Sequence, residues 1–67
     1  MKVYKALRLA VEHLQDTGKL PDEAYRVTAS PDNGSWIFWF QLLPETPGRD
    51  VTAFVTEDGE VSTLAGL

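Results

Sequence analysis

His13 is the only histidine of this chain, and there is no cysteine. A nucleophilic site needs a serine or cysteine beside a base that a third group orients. Ser30 and Ser35 are the candidate nucleophiles, but both border a turn whose composition already explains them. His13 reads as a lone surface histidine on a helix. Glu12, His13 and Asp16 fall at i, i+3 and i+4 spacings that could converge on one helix side. A structural zinc site, however, wants four ligands, usually with cysteines or several histidines. Asp32-Asn33-Gly34 has the glycine turn of a calcium loop without the alternating oxygen ligands or the closing glutamate. A carboxylate pair such as Asp50 with Glu57 would have to flank a cleft, and one helix on a small sheet leaves little room for one. Glycine-rich phosphate loops are absent. The expectation is a protein with no catalytic residue, no metal and no cofactor, hence no enzyme.

The chain has 67 residues, enough for a single small domain spanning 1–67. A domain of that size buries only about 60% of the surface its unfolded chain exposes. Without cysteine, disulfides cannot add to it. Tight packing and oligomerisation remain as supports. Ten acidic and six basic residues give a net charge of −4. The basic residues are few and dispersed, which argues against recognition of a nucleic-acid backbone. Met1-Lys2-Val3-Tyr4-Lys5 turns charged again at Arg8 and does not read as a secretory signal. No apolar run approaches the length that spans a membrane. The expected setting is the cytoplasm, with no membrane and no nucleic-acid partner.

Residues 2–17 read as an amphipathic helix. Val3, Leu7, Ala10, Val11 and Leu14 make one apolar stripe, which Ala6 and Leu9 widen. Gly18 is placed to end it in a left-handed conformation, and Pro21 blocks continuation. Lys2, Lys5 and Arg8 lie at the helix start while Glu12 and Asp16 lie near its end, the reverse of what the helix dipole favours. Tyr25 to Ala29 alternate as a half-buried strand, and Ser30 to Ser35 form a dense cluster of turn residues. Pro44 stops the next strand, and Glu45-Thr46-Pro47-Gly48-Arg49 reads as a second turn. Asp50 to Thr56 form another strand, with Val51, Ala53 and Val55 on one face. Glu57-Asp58-Gly59 fits a three-residue hairpin loop that sets Val55 opposite Val61 and Phe54 opposite Ser62. A two-residue loop would mix the faces. Glu60 to Leu64 is a short last strand. The acidic tip Glu57-Asp58-Gly59-Glu60 reads as a solvated turn, with a basic partner as its functional alternative.

The remaining strand carries the strongest signal. Trp36-Ile37-Phe38-Trp39-Phe40-Gln41-Leu42-Leu43 holds both tryptophans and only one polar side chain. Successive strand residues point to opposite faces, so both faces of this strand are apolar. Trp36, Phe38, Phe40 and Leu42 form one face; Ile37, Trp39, Gln41 and Leu43 form the other. A single helix covers one of them. The continuous apolar set is the better core, which leaves Trp39 on the open face. The fold class that follows is α+β, an N-terminal helix packed on one face of a three- to four-stranded antiparallel meander.

This layout resembles small domains of the PepSY-like type. The matching pieces are Ala6-x-x-x-Ala10 with Leu14 and Gly18, Tyr25-Arg26-Val27, the Trp36–Phe40 strand, and Phe54-Val55-Thr56-Glu57-Asp58-Gly59-Glu60-Val61. It is also similar to the helix-plus-meander half of small immunity proteins that neutralise secreted toxins. The chain departs from PepSY-like proteins in having no signal or membrane anchor in its sequence. The resemblance implies a non-enzymatic binding or inhibitory module and carries over no catalytic residue. The open face implies the same independently, because exposed aromatic anchors are enriched at interfaces. The expected function is therefore protein binding, regulatory or inhibitory, through Ile37, Trp39, Gln41 and Leu43. The alternative is a homodimer whose interface is that patch.

Overall fold

Four strands and one helix follow from these patterns in a computed structural model, which describes residues 1–43 and 49–65. They are α1 (Val3–Asp16), β1 (Tyr25–Asp32), β2 (Ser35–Leu42), β3 (Val51–Val55) and β4 (Val61–Ala65). The strands make one antiparallel sheet in the order β1-β2-β3-β4, so β2 and β3 are interior and β1 and β4 are edges. The helix packs on β2, β3 and β4. This is the α+β arrangement expected, with four strands. The strand end at Pro44 and most of the turn after it, residues 44–48, lie outside the described residues.

The open question of the aromatic strand is settled by burial. Phe38 and Phe40 have no exposed surface and Leu42 is also buried, so the Trp36–Leu42 set faces the helix. The helix answers these large side chains with small ones. Ala6, Ala10 and Leu14 are its fully buried positions, and Ala53 and Val55 complete the core from β3. Alanines on the contact ridge let the helix axis come close to a sheet that presents phenylalanines. The stripe is consequently rotated from its expected centre. Ala6 lies in the middle of the contact, whereas Val3 is 40% exposed and Leu7 and Val11 are only partly buried.

Each chain reversal has an identifiable cause. At the end of α1 the Gly18 amide donates to Gln15 O and the Lys19 amide to Leu14 O, with Gly18 at φ +70°. These paired bonds satisfy the last carbonyls and need a left-handed residue, which glycine supplies without steric cost. The stretch Ser30–Ser35 is not all turn. Strand β1 runs on through Pro31 to Asp32, and only Asn33 and Gly34 reverse the chain, both at positive φ, leaving Asp32 opposite Ser35. Asn-Gly is the pair that such a tight hairpin favours. Pro31 is tolerated because β1 is an edge strand. At the other hairpin the Thr56 amide donates to Glu60 O, the Gly59 amide donates to Thr56 O, and Gly59 has φ +90°. Val55 pairs with Val61 and Phe54 with Ser62, the register expected from a three-residue loop.

Both hairpin turns and the start of the helix meet at one end of the sheet. Trp36 Nε1 donates to Met1 O at 2.9 Å. Glu57 lies over Gly34, where an added Cβ would come within 2.8 Å of the carboxylate. Met1, Lys5, Arg8 and Leu9 line one open depression together with Asp58 and Gly59. The reversed charge order of the helix thus has an intramolecular counterpart. The cations at its start face the acidic tip of the β3–β4 hairpin, an attraction that opposes the unfavourable dipole term.

Candidate binding face

The residues that could do chemistry are kept apart. The helix begins beside Trp36 and has His13 in its last turn, at the opposite end of the molecule from Ser35. Asp50 and Glu57 flank opposite ends of β3, one bonded to Trp39 and the other lying on the β1–β2 turn. Among the described residues no group of three or more His, Asp or Glu side chains is placed to hold a metal ion. None of the described polar or charged side chains is buried.

The outer sheet face is organised differently. Register puts Thr28, Trp39, Thr52 and Leu64 in one row across the four strands, and Ser30, Ile37, Phe54 and Ser62 in the next. Cross-strand neighbours in a row lie about 5 Å apart, and diagonal ones about 7–8 Å apart. Ile37 and Phe54 are therefore direct neighbours, and Trp39 and Leu64 lie within one step of Phe54 or Thr52. Trp39 is 40% exposed, Phe54 37% and Leu64 64%. Large apolar side chains so exposed across β2, β3 and the edge strand β4 form a contiguous patch, the kind of surface that marks interaction sites.

One hydrogen bond orders this face. Trp39 Nε1 donates to Asp50 Oδ2 at 2.7 Å, so the indole is held by the residue just before β3. The acceptor is a carboxylate, which makes the bond charge-assisted.

Of the four residues expected to bind, Ile37 and Trp39 lie inside the patch. Gln41 is half-buried and pairs across with Arg26, which makes the next row polar. Leu43 lies beyond the end of β2, 39% exposed, with its amide bonded to Ala24 O at 3.0 Å. The polar row separates it from the other apolar side chains. Phe54 and Leu64 were not among the expected residues. Their signal was present in the sequence, since Phe54 alternates with buried Ala53 and Val55 and Leu64 follows at the same parity across the hairpin. No helix of the described residues is long and apolar enough to cross a membrane. Compared with protein-family models, curated proteins and solved structures, the chain matches none.

Proposed function

We propose that this chain is a non-enzymatic protein-binding module, regulatory or inhibitory in role, that uses its outer sheet face. The observation that carries the reading is Trp39. It sits on an interior strand, presents 40% of its surface, and is held in place by Asp50 while doing so. A tryptophan restrained before binding loses less side-chain entropy on contact, and tryptophan is the residue most enriched at energetic centres of interfaces. Ile37, Phe54 and Leu64 supply the apolar surround, and Gln41 with Arg26 a polar rim. The PepSY-like resemblance points to the same class of role.

The second reading is a homodimer closed through the same patch, favoured by the 64% exposure of Leu64 on a chain this small. One experiment separates the two. A photo-crosslinking residue replaces Ile37, and a control places it at Gln15 on the solvent side of α1. The binding reading expects a discrete product from position 37 in living cells, heavier than twice the chain, and none from position 15. A product of twice the chain mass identifies the homodimer. Equal labelling from both positions would remove the face from consideration.

A further inference from the structure

The two edges of the sheet are not alike, and the difference points to a second binding element. The alternation of antiparallel hydrogen bonds fixes which backbone groups face outward. In the β1–β2 hairpin, Leu43 N donates to Ala24 O, so the bonded pairs are those of even-numbered β1 residues. Tyr25, Val27, Ala29 and Pro31 then direct their backbone groups to the free edge, and Pro31 has no amide hydrogen to offer. In the β3–β4 hairpin, Thr56 N donates to Glu60 O, which makes Ser62 and Leu64 the residues bonded to β3. Val61, Thr63 and Ala65 therefore present amides and carbonyls outward. Strand β4 has no charged residue and no proline, and its register with β3 is continuous, without a bulge. Charges, prolines and bulges within the strand are three of the devices that blunt an edge.

Each face of this edge carries a distinct feature. On the outer face Leu64 is 64% exposed. On the helix face Lys19 Nζ lies 3.3 Å from Thr63 Oγ1, placing a cation at the centre of the strand. A second copy of this chain fits poorly there. Pairing two β4 strands about Thr63 would bring both Lys19 ammonium groups together, and each chain carries a net charge of −4. Like charges placed opposite one another are unfavourable.

We infer that the β4 edge accepts an extended segment of a partner protein as a fifth strand, with an acidic side chain opposite Thr63 beside Lys19 and apolar side chains flanking it along Leu64. Main-chain bonds would give such a segment its affinity, and alternate side chains its specificity. The inference rests on the protein-binding reading above, though not on its choice of the sheet face.

The test uses the whole chain and a blocked nine-residue peptide of alternating threonine and valine with glutamate at the centre. A second peptide has lysine there. Amide shifts on titration should concentrate at Val61, Thr63 and Ala65, and the glutamate peptide should bind about fivefold more tightly than the lysine one. Lys19→Glu should reverse that preference. Thr63→Pro removes an outward amide without touching the β3 ladder and should weaken binding about tenfold. Shifts centred on Ile37, Trp39 and Phe54, with Thr63→Pro binding as wild type, would overturn the edge site and leave the face reading standing. Failure of both peptides to shift any β4 amide at millimolar concentration would also overturn it. Cross-linking failure at position 37 alongside edge binding would remove the face and keep the edge.

Discussion

Trp39 and Asp50 are joined across the outer face by a 2.7 Å bond from the indole Nε1 to Oδ2, diagonally between β2 and the approach to β3. The bond has two consequences. It fixes the plane of the largest side chain on the open face. It also ties the residue that leads into β3 to the interior strand. Asp50→Ala leaves both the ring and this approach untethered. The expected loss is about 0.5–1 kcal/mol in urea unfolding, kept small because the pair is accessible to water. Affinity for any partner of the face should fall by more than stability does. An unchanged unfolding midpoint would mean that the bond does not hold the ring in solution.

The rotated helix stripe makes a sharper claim about packing. Ala10 has no exposed surface and Val3 is 40% exposed, although both belong to the stripe expected from spacing. Ala10→Leu must force a larger side chain between the helix and Phe38 or Phe40, at a cost of about 1–3 kcal/mol. Val3→Ala should change stability by no more than about 0.5 kcal/mol. Chemical denaturation of the two variants ranks them. The opposite order would return the stripe to Val3, Leu7 and Val11.

These two cases show what was legible in the sequence. Alternation in Trp36–Leu43 sorted its residues onto two faces and made the continuous apolar set the better core, and burial places that set under the helix. The loop Glu57-Asp58-Gly59 fixed the register of β3 on β4, because only one loop length keeps Val55 and Val61 together. Helical periodicity could not choose the stripe's centre. Alanine and valine both count as apolar, and the sheet's phenylalanines decide which of them fits. Pro31 hid the true length of β1, since proline reads as a turn residue until the strand is known to be an edge. The meeting of Trp39, Phe54 and Leu64 depends on the register of β2 against β3. That register is set across residues 43–50, whose turn composition dictates no single loop length, so the alternation that put Phe54 and Leu64 on the outer face did not show that they meet Trp39.

The charges at the helix start give a prediction about salt. Lys5 and Arg8 share a depression with Asp58, and Glu57 lies with Lys5 in the neighbouring one. Lys5→Glu places a negative charge among these acids. The melting temperature should fall, and fall further in about 10 mM salt than in about 1 M, where the screening length is near 3 Å. Adding Asp58→Lys to that variant should recover part of the loss, a coupling that a double-mutant cycle measures. Loss independent of salt, with no recovery in the double variant, would show that the helix start and the hairpin tip do not interact through charge.

His13 is the remaining residue with chemical potential, and its surroundings argue for a passive role. It lies in the last turn of α1, partly buried beside the Ala10–Leu14 positions. The bonds that close the helix there use its carbonyl, which accepts from the Thr17 amide at 3.0 Å and from Thr17 Oγ1 at 2.8 Å. The imidazole itself takes no part in them. His13→Gln keeps polarity and a comparable helix propensity, so unfolding free energy should stay within about 0.5 kcal/mol of the wild type. Zinc added to the wild-type chain should leave its melting temperature where it was, because a resident site would stabilise the folded state by mass action. Partner affinity should be likewise unchanged. A tenfold loss of affinity in this variant, at preserved stability, would move the binding surface from the sheet face to the helix side bearing Glu12, His13 and Asp16.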